Sequence, residues 1–192
     1  MYRCRWWLLV TKLSSIKSVV ITALMSALVF LGIYIMRIEV VILGNHIMVH
    51  FGNMFCLLAA ILFGRRCGAL AGAIGMSLFD LISGRFIVYV PFVFILKYFM
   101  GYICGSIKNK YKDRFTLNKI NLLSIIVALL FNIIFSPIIS FFIKVVVYDL
   151  NFYMALMQTI GSIMSAFINA CLSGSLALIL LKFIEPIVIN KK

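Results

Sequence analysis

The chain has 192 residues, of which 65% are apolar and 12% are charged, and its formal net charge at pH 7 is +13. An ordinary soluble domain has roughly a quarter of its residues charged, and a domain this small cannot bury so much apolar surface. These values exclude a soluble globular protein and predict that lipid surrounds most of the chain.

Charged residues mark the ends of the predicted membrane spans, because an ionised side chain costs about 3 kcal/mol at the bilayer centre. Two runs, 67–84 and 86–107, each contain a single charge, Asp80 and Lys97. We therefore predict an all-α integral membrane protein, a bundle of six transmembrane helices over about residues 18–183. The other four spans are the uncharged runs 18–36, 40–64, 120–143 and 150–181.

The basic residues predict the orientation, because they accumulate on the cytoplasmic side of short loops. Most of the 18 Lys and Arg residues fall on the side of the two termini, in residues 1–17, 65–66, 108–119 and 182–192. We predict a multi-pass protein of the bacterial plasma membrane with both termini cytoplasmic. Residues 1–192 form one membrane domain, with 1–17 an interfacial segment and 184–192 a cytoplasmic tail. Attraction to anionic membrane lipid accounts for the remaining charge, and no nucleic-acid partner is predicted.

Small residues form a strip on the first predicted helix, where Ala23 and Ala27 lie four residues apart. Another helix can approach closely at such a strip. The spacing alone allows packing within this protein or contact with a partner helix.

The segment after the first helix, residues 37–49, is apolar but interrupted by Gly44 and Asn45, which favour a turn. We predict an external loop that partly enters the protein, with the second helix beginning near His50. His46 and His50 have a spacing that would suit two metal ligands, but no third ligand is evident. Hydrogen bonding at a polar cavity is the favoured interpretation, and no metal site is predicted.

Two ionised side chains in the spans need partners, because charge in lipid is costly. Asp80 lies near the outer end of the third helix, and either Arg85 or a polar ligand could pair with it. Lys97 lies near the middle of the fourth helix. Its predicted partner is a polar or acidic substrate group, an internal carboxylate such as Asp80, or helix-end carbonyl groups.

Amides and aromatic rings complete the predicted site. Asn132 and Asn169 lie in the last two helices, where an amide facing lipid would lack hydrogen-bond partners. Tyr89 belongs to an aromatic group after the third helix and could stack on a flat heterocyclic ligand. We expect these polar groups to converge on one cavity in the outer half of the bundle, with the predicted binding residues His50, Asn53, Asp80, Arg85, Tyr89, Lys97, Asn132 and Asn169.

The usual nucleotide-binding and hydrolase motifs are absent from the sequence, so no cofactor and no catalytic residue are predicted. If the chain transports a solute, the energy comes from another protein. A small integral membrane enzyme, using Asp80, Lys97 and the histidines, and a structural subunit of a larger membrane complex are the alternative hypotheses.

Three stretches resemble the substrate-binding S components of energy-coupling factor (ECF) vitamin transporters. They are HFGNMFCLLAAILFG at 50–64, GALAGAIGMSLFDL at 68–81 and FILKYFMGYICG at 94–105. The resemblance extends over about residues 18–183. One departure is Arg65-Arg66-Cys67, where many relatives have a Gly-Pro turn.

The resemblance implies six membrane helices and high-affinity binding of a vitamin-like small molecule near the external face. It also implies partners, namely a transmembrane coupling subunit and two cytoplasmic ATPases that drive transport. The AxxxA strip that contacts the coupling subunit in that family matches Ala23 and Ala27. Which vitamin is bound, whether riboflavin, pyridoxine, a thiamine precursor or another flat heterocycle, is not indicated by the sequence.

Overall fold

The computed structural model describes residues 15–42 and 45–190. An antiparallel pair of strands follows the first helix, and a 3₁₀ turn, Ile87–Tyr89, precedes the fourth. The predicted bundle of six apolar helices is confirmed, and all but the second are long enough to cross a membrane. The elements are α1 (Ser15–Tyr34), β1 (Arg37–Ile42), β2 (Asn45–His50), α2 (Gly52–Phe63), α3 (Arg65–Ser83), α4 (Val90–Tyr111), α5 (Leu117–Val146) and α6 (Phe152–Asn190).

The segment between α1 and α2 differs from the prediction of an irregular loop. Residues 37–50 form a hairpin in which Arg37 pairs with His50 and Ile42 pairs with Asn45. The β-branched residues of β1 favour an extended strand. As a result α2 has only 12 residues, although the uncharged run that contains it is much longer.

The outer edge of β2 is covered by α6. Backbone groups near lipid need internal partners, and β1 supplies them on only one side of β2. On the other side, Asn169 bonds to the backbone of Met48 and His50, and Ser165 also donates to Met48. The hairpin is therefore attached to the bundle.

Close packing joins α3 to α2 and α4. A side chain on Gly68 would overlap Ala60 of α2, and one on Gly101 of α4 would overlap the backbone of Gly68. Between α2 and α3 the chain reverses at Gly64, whose φ of 96° suits glycine. Helices α2, α3 and α4 thus approach one another almost to backbone contact.

Successive helices run in opposite directions, which gives the bundle two distinct ends. The hairpin, the 84–89 connection and the 147–151 connection lie at one end, which we call the hairpin end. Gly64 and the 112–116 connection lie at the opposite end. The predicted interfacial segment 1–17 falls mostly outside the described residues.

A buried polar cluster joins three helices at the opposite end. Lys108 of α4 donates to one carboxylate oxygen of Glu185 of α6 at 2.7 Å, and Asn121 of α5 donates to the other at 2.7 Å. Helix α6 continues to Asn190 and so includes most of the predicted tail 184–192. Because their charges satisfy each other, Lys108 and Glu185 can remain buried.

Candidate functional site

A cavity of about 350 Å³ lies at the hairpin end, bounded by β2 and helices α2 to α6. This volume is in the range of small-molecule sites. The structure places every residue of the predicted binding set on its wall: His50, Asn53, Asp80, Arg85, Tyr89, Lys97, Asn132 and Asn169.

Lys97 is held by amide oxygens and not by a carboxylate. Its Nζ donates to Asn53 Oδ1 at 2.9 Å and to Asn132 Oδ1 at 2.6 Å. The side chain is 7% exposed, so these bonds replace most of the hydration of the ammonium group. An ammonium has three N–H donors, and the third is left for a group in the cavity.

The two asparagines present further donors. In the described part of the chain, neither the Asn53 nor the Asn132 NH₂ group has a hydrogen-bond acceptor. Both residues are nearly fully buried, and a buried amide gains free energy when a partner is provided. This floor of the cavity, formed by Lys97, Asn53 and Asn132, is therefore rich in hydrogen-bond donors.

Arg85 does not pair with Asp80, contrary to one of the predicted partners. Its guanidinium donates instead to Glu39 of β1 at 3.0 Å, and Arg37 lies 3.6 Å from the same carboxylate. The Asp80 carboxylate is buried and makes no hydrogen bond to a described residue. The Asp80 carboxylate is thus available to accept a hydrogen bond, whereas Arg85 connects the hairpin to the end of α3.

Asn169 uses its whole amide group to hold β2. Its Oδ1 accepts the backbone N–H of His50 at 2.8 Å, and its Nδ2 donates to the carbonyl of Met48 at 2.8 Å and to Ser165 Oγ at 3.3 Å. These bonds leave little capacity for a ligand. Asn169 therefore acts as a positioning residue for the cavity wall.

His50 is a neutral donor at the end of β2. Its Nδ1 accepts the backbone N–H of Gly52 at 3.2 Å, so the neutral ring carries its proton on Nε2. Burial, with a smaller contribution from Lys97, lowers the pKa of His50 to about 3. The ring is therefore uncharged at physiological pH.

We expect the substitution Asn169→Ala to loosen β2 before it affects the helices. The His50 N–H loses its only acceptor among the described residues, and an unpaired buried group costs about 1 to 3 kcal/mol. Hydrogen exchange of the His50 amide should accelerate roughly five- to a hundredfold, and ligand affinity should fall. Mass-spectrometric hydrogen exchange measures this, with α4 amides as the internal control. Unchanged exchange in residues 48–50 would contradict the positioning role.

The sequence reasoning missed several residues of the cavity wall. Ser140 and Lys144 of α5 and Ser162 of α6 line it. On α5, Asn132, Ser136, Ser140 and Lys144 recur at intervals of four residues. Each step of four residues turns by only about 40° around the helix, so neighbouring members of the row point to the same side, and this row is the signal that would have identified them.

A second concave surface, the α1–α3 groove, lies away from the cavity. It has a volume of about 540 Å³ and is mostly apolar. Ala23 and Ala27 line it and are exposed, whereas α1 packs inward through Val29 and Ile33. The alanine strip is therefore not covered by the described helices. The groove is formed by Ser18, Val19, Thr22, Ala23, Ser26, Ala27, Phe30, Leu70, Ile74 and Leu78.

Comparison with known proteins identifies the family. The model of the family described as ECF-type riboflavin transporter, S component, matches residues 13–186. The fold is also similar to that in the solved structure described as "Structure and mechanism of the S component of a bacterial ECF transporter". The TM-score is 0.67 and the sequence identity 17%, covering 90% of this chain and 97% of that chain. No curated protein sequence matches this chain.

The two findings agree with each other and confirm the resemblance. The structural similarity shows the fold, and the family match extends over nearly the whole chain. The chain thus belongs to the family of S components of ECF-type riboflavin transporters, which are integral membrane proteins and binding components of transporters, not enzymes.

Proposed function

We propose that this chain is the high-affinity substrate-binding subunit of an ECF-type importer and that its ligand is riboflavin. The observation that carries the proposal is the donor-rich floor at Lys97, which is buried within the bundle and has a free N–H. The description of the matching family supplies the vitamin. A buried cation with unused donors is costly unless a ligand completes its hydrogen bonds.

The chemistry of the cavity suits a flavin. A flavin ring has carbonyl oxygens and ring nitrogens that accept hydrogen bonds, and these match the Lys97 floor. Its single ring N–H matches the unpaired Asp80 carboxylate. Phe86 and Tyr89 contact each other edge to face, with ring centroids 6.3 Å apart, and offer apolar faces for stacking.

Binding by the isolated chain is the direct test of this function. Titration of the purified protein with riboflavin should show saturable binding with a dissociation constant in the nanomolar range. The quenching of flavin fluorescence measures this binding. Pyridoxine and a thiamine pyrimidine precursor serve as comparison ligands. Absence of saturable riboflavin binding would contradict the assignment of riboflavin, and tight binding of a comparison ligand would replace it.

We further propose that the α1–α3 groove docks a transmembrane coupling subunit, and that two cytoplasmic ATPases energise transport through it. Ala23 and Ala27 leave room for a helix of the partner. The nearby hydroxyl groups of Thr22 and Ser26 already donate to backbone carbonyls within α1 at 2.8 Å. A partner helix would therefore meet a surface with few unsatisfied polar groups.

The cavity faces the outside in the proposed orientation, with both termini cytoplasmic. The basic segment 108–119 and Arg65 and Arg66 lie at the end opposite the cavity, which agrees with the distribution of basic residues in membrane proteins.

Cysteine labelling tests this topology. We expect a cysteine introduced by Lys112→Cys to resist a membrane-impermeant maleimide in intact cells and to react after permeabilisation. A cysteine at Asp149, at the hairpin end, should react in both conditions. Labelling of position 112 from outside would reverse the orientation and place the cavity on the cytoplasmic side.

A further inference from the structure

Three buried polar residues at the end of the bundle opposite the hairpin do not line the cavity. Glu185 of α6 accepts one hydrogen bond at 2.7 Å from Lys108 of α4 and another at 2.7 Å from Asn121 of α5. We call these three residues the α4–α6 cluster. It joins the same three helices that also carry polar groups of the cavity.

The cluster is a second level of polar contact between α4 and α5. Lys97 and Lys108 are 11 residues apart on α4, and Asn121 and Asn132 are 11 residues apart on α5. Eleven residues are close to three helical turns, about 16 Å, so each pair lies nearly on one face of its helix. Because the two helices are antiparallel, Lys97 bonds to Asn132 in the cavity. In the cluster, both helices bond to Glu185.

The packing between these two levels is apolar. The buried side chains there belong to one hydrophobic cluster, with Met100 and Cys104 from α4, Ile125 and Ala128 from α5, and Ala177 from α6. Such contacts have no preferred direction, and apolar cores lose a unique arrangement before they lose stability. Hydrogen bonds at the two levels therefore determine how α4, α5 and α6 are aligned along their axes.

Stability alone does not account for the cluster. Removal of two charges from water is costly, and apolar residues of similar volume often replace a buried ion pair without loss of stability. The Asn121 Oδ1 atom is also buried without a hydrogen-bond partner among the described residues, which adds a further cost. A well-attested use of buried polar groups is to fix the register of packed helices.

We propose that Lys108, Asn121 and Glu185 are positioning residues for the cavity. Their bonds hold α4, α5 and α6 in the register at which Lys97 reaches the amide oxygen of Asn132. A slip of α5 by one residue would move Asn132 about 1.5 Å along the helix axis and turn it by about 100°, which breaks this 2.6 Å bond. The inference rests on the proposed function and adds that ligand affinity depends on residues outside the cavity.

An apolar replacement of the cluster separates register from stability. The triple variant Lys108→Met, Asn121→Leu, Glu185→Leu keeps the side-chain volumes similar and leaves no buried charge. Thermal unfolding of the full chain in detergent, without ligand, should have a midpoint no lower than that of the wild type. The dissociation constant for riboflavin should nevertheless rise about tenfold, because the donors of the floor are no longer held in one arrangement.

The matched control changes three exposed residues of the same helices, Lys110→Met, Asn118→Leu and Lys182→Leu, and should bind riboflavin like the wild type. Unchanged affinity in the cluster variant overturns the inference and leaves the proposed function intact. A lower unfolding midpoint of that variant, or its failure to fold, would show that the cluster serves stability and overturns the inference as well.

Hydrogen exchange without ligand makes the test independent of the vitamin. Peptides covering residues 96–100 and 130–134 should exchange faster in the cluster variant than in the wild type, with α1 peptides as the internal control. If the wild type binds no riboflavin, the assignment of riboflavin fails and the exchange comparison decides the inference alone. Equal exchange in the two proteins then overturns it.

Discussion

Replacement of Lys97 by methionine will weaken riboflavin binding roughly ten- to a hundredfold. The ammonium supplies the charge-assisted hydrogen bond at the cavity floor, and such bonds contribute about 1.5 to 3 kcal/mol. Methionine has a similar length, so the packing of α4 changes little. Isothermal titration calorimetry of the purified variant measures the effect.

The control for this variant is Lys110→Met, which removes an exposed charge between three and four turns further along α4 and should bind like the wild type. Circular dichroism and size-exclusion chromatography establish whether each variant is folded. If Lys97→Met is folded and its riboflavin affinity is unchanged, the floor does not contact the ligand, and Lys97 serves only to join α2, α4 and α5.

Replacement of both Ala23 and Ala27 by tryptophan will abolish vitamin uptake, while the isolated chain will still bind its ligand. Two indole rings fill the α1–α3 groove and prevent close approach of another helix. The cavity lies on the other side of α3, so ligand affinity should change by less than about threefold. Uptake of labelled vitamin is measured in cells that contain the coupling module, and affinity is measured on purified protein.

Leu24→Trp with Leu28→Trp is the matched control for the groove. These residues are also four apart on α1 and exposed, but they do not line the groove, so uptake should persist. Loss of binding or folding in the alanine variant would show that the strip is needed inside the protein. Normal uptake would show that the coupling subunit docks elsewhere.

Much of the fold follows from the positions of charges. Each span was predicted from an uncharged run or a run with one charge, and the helices occupy these runs. The hairpin was missed because residues 40–64 form one long uncharged run, and periodicity alone does not distinguish a buried strand from a helix. The last span was bounded by Lys182, and α6 continues past this residue with Glu185 buried through its contacts with Lys108 and Asn121.

Many residues that line the cavity could be predicted from the sequence, but their hydrogen-bond and ion-pair partners could not. Polar groups in the spans avoid lipid, and this single requirement selects residues such as Asn53 and Asn132. Their partners depend on how each helix is rotated and on the position of the hairpin. The sequence therefore did not predict the bonds of Lys97 to the two amides or the ion pair of Arg85 with Glu39. Lys144 was overlooked because it ends an uncharged run, and such charges usually lie in water.

The short helix α2 has an electrical consequence. Its 12 residues extend about 18 Å, less than the ~30 Å of the hydrocarbon core, so the hairpin begins within the thickness of the core. Lys97 lies seven residues, about 10 Å, along α4 from its first residue. The full membrane potential is worth about 2.3 kcal/mol per unit charge at 100 mV. A unit charge brought to the depth of Lys97 crosses about a third of the field and exchanges roughly 0.8 kcal/mol with it. A neutral ring travels the same distance without electrical work, so its affinity for the cavity is independent of the voltage across the membrane.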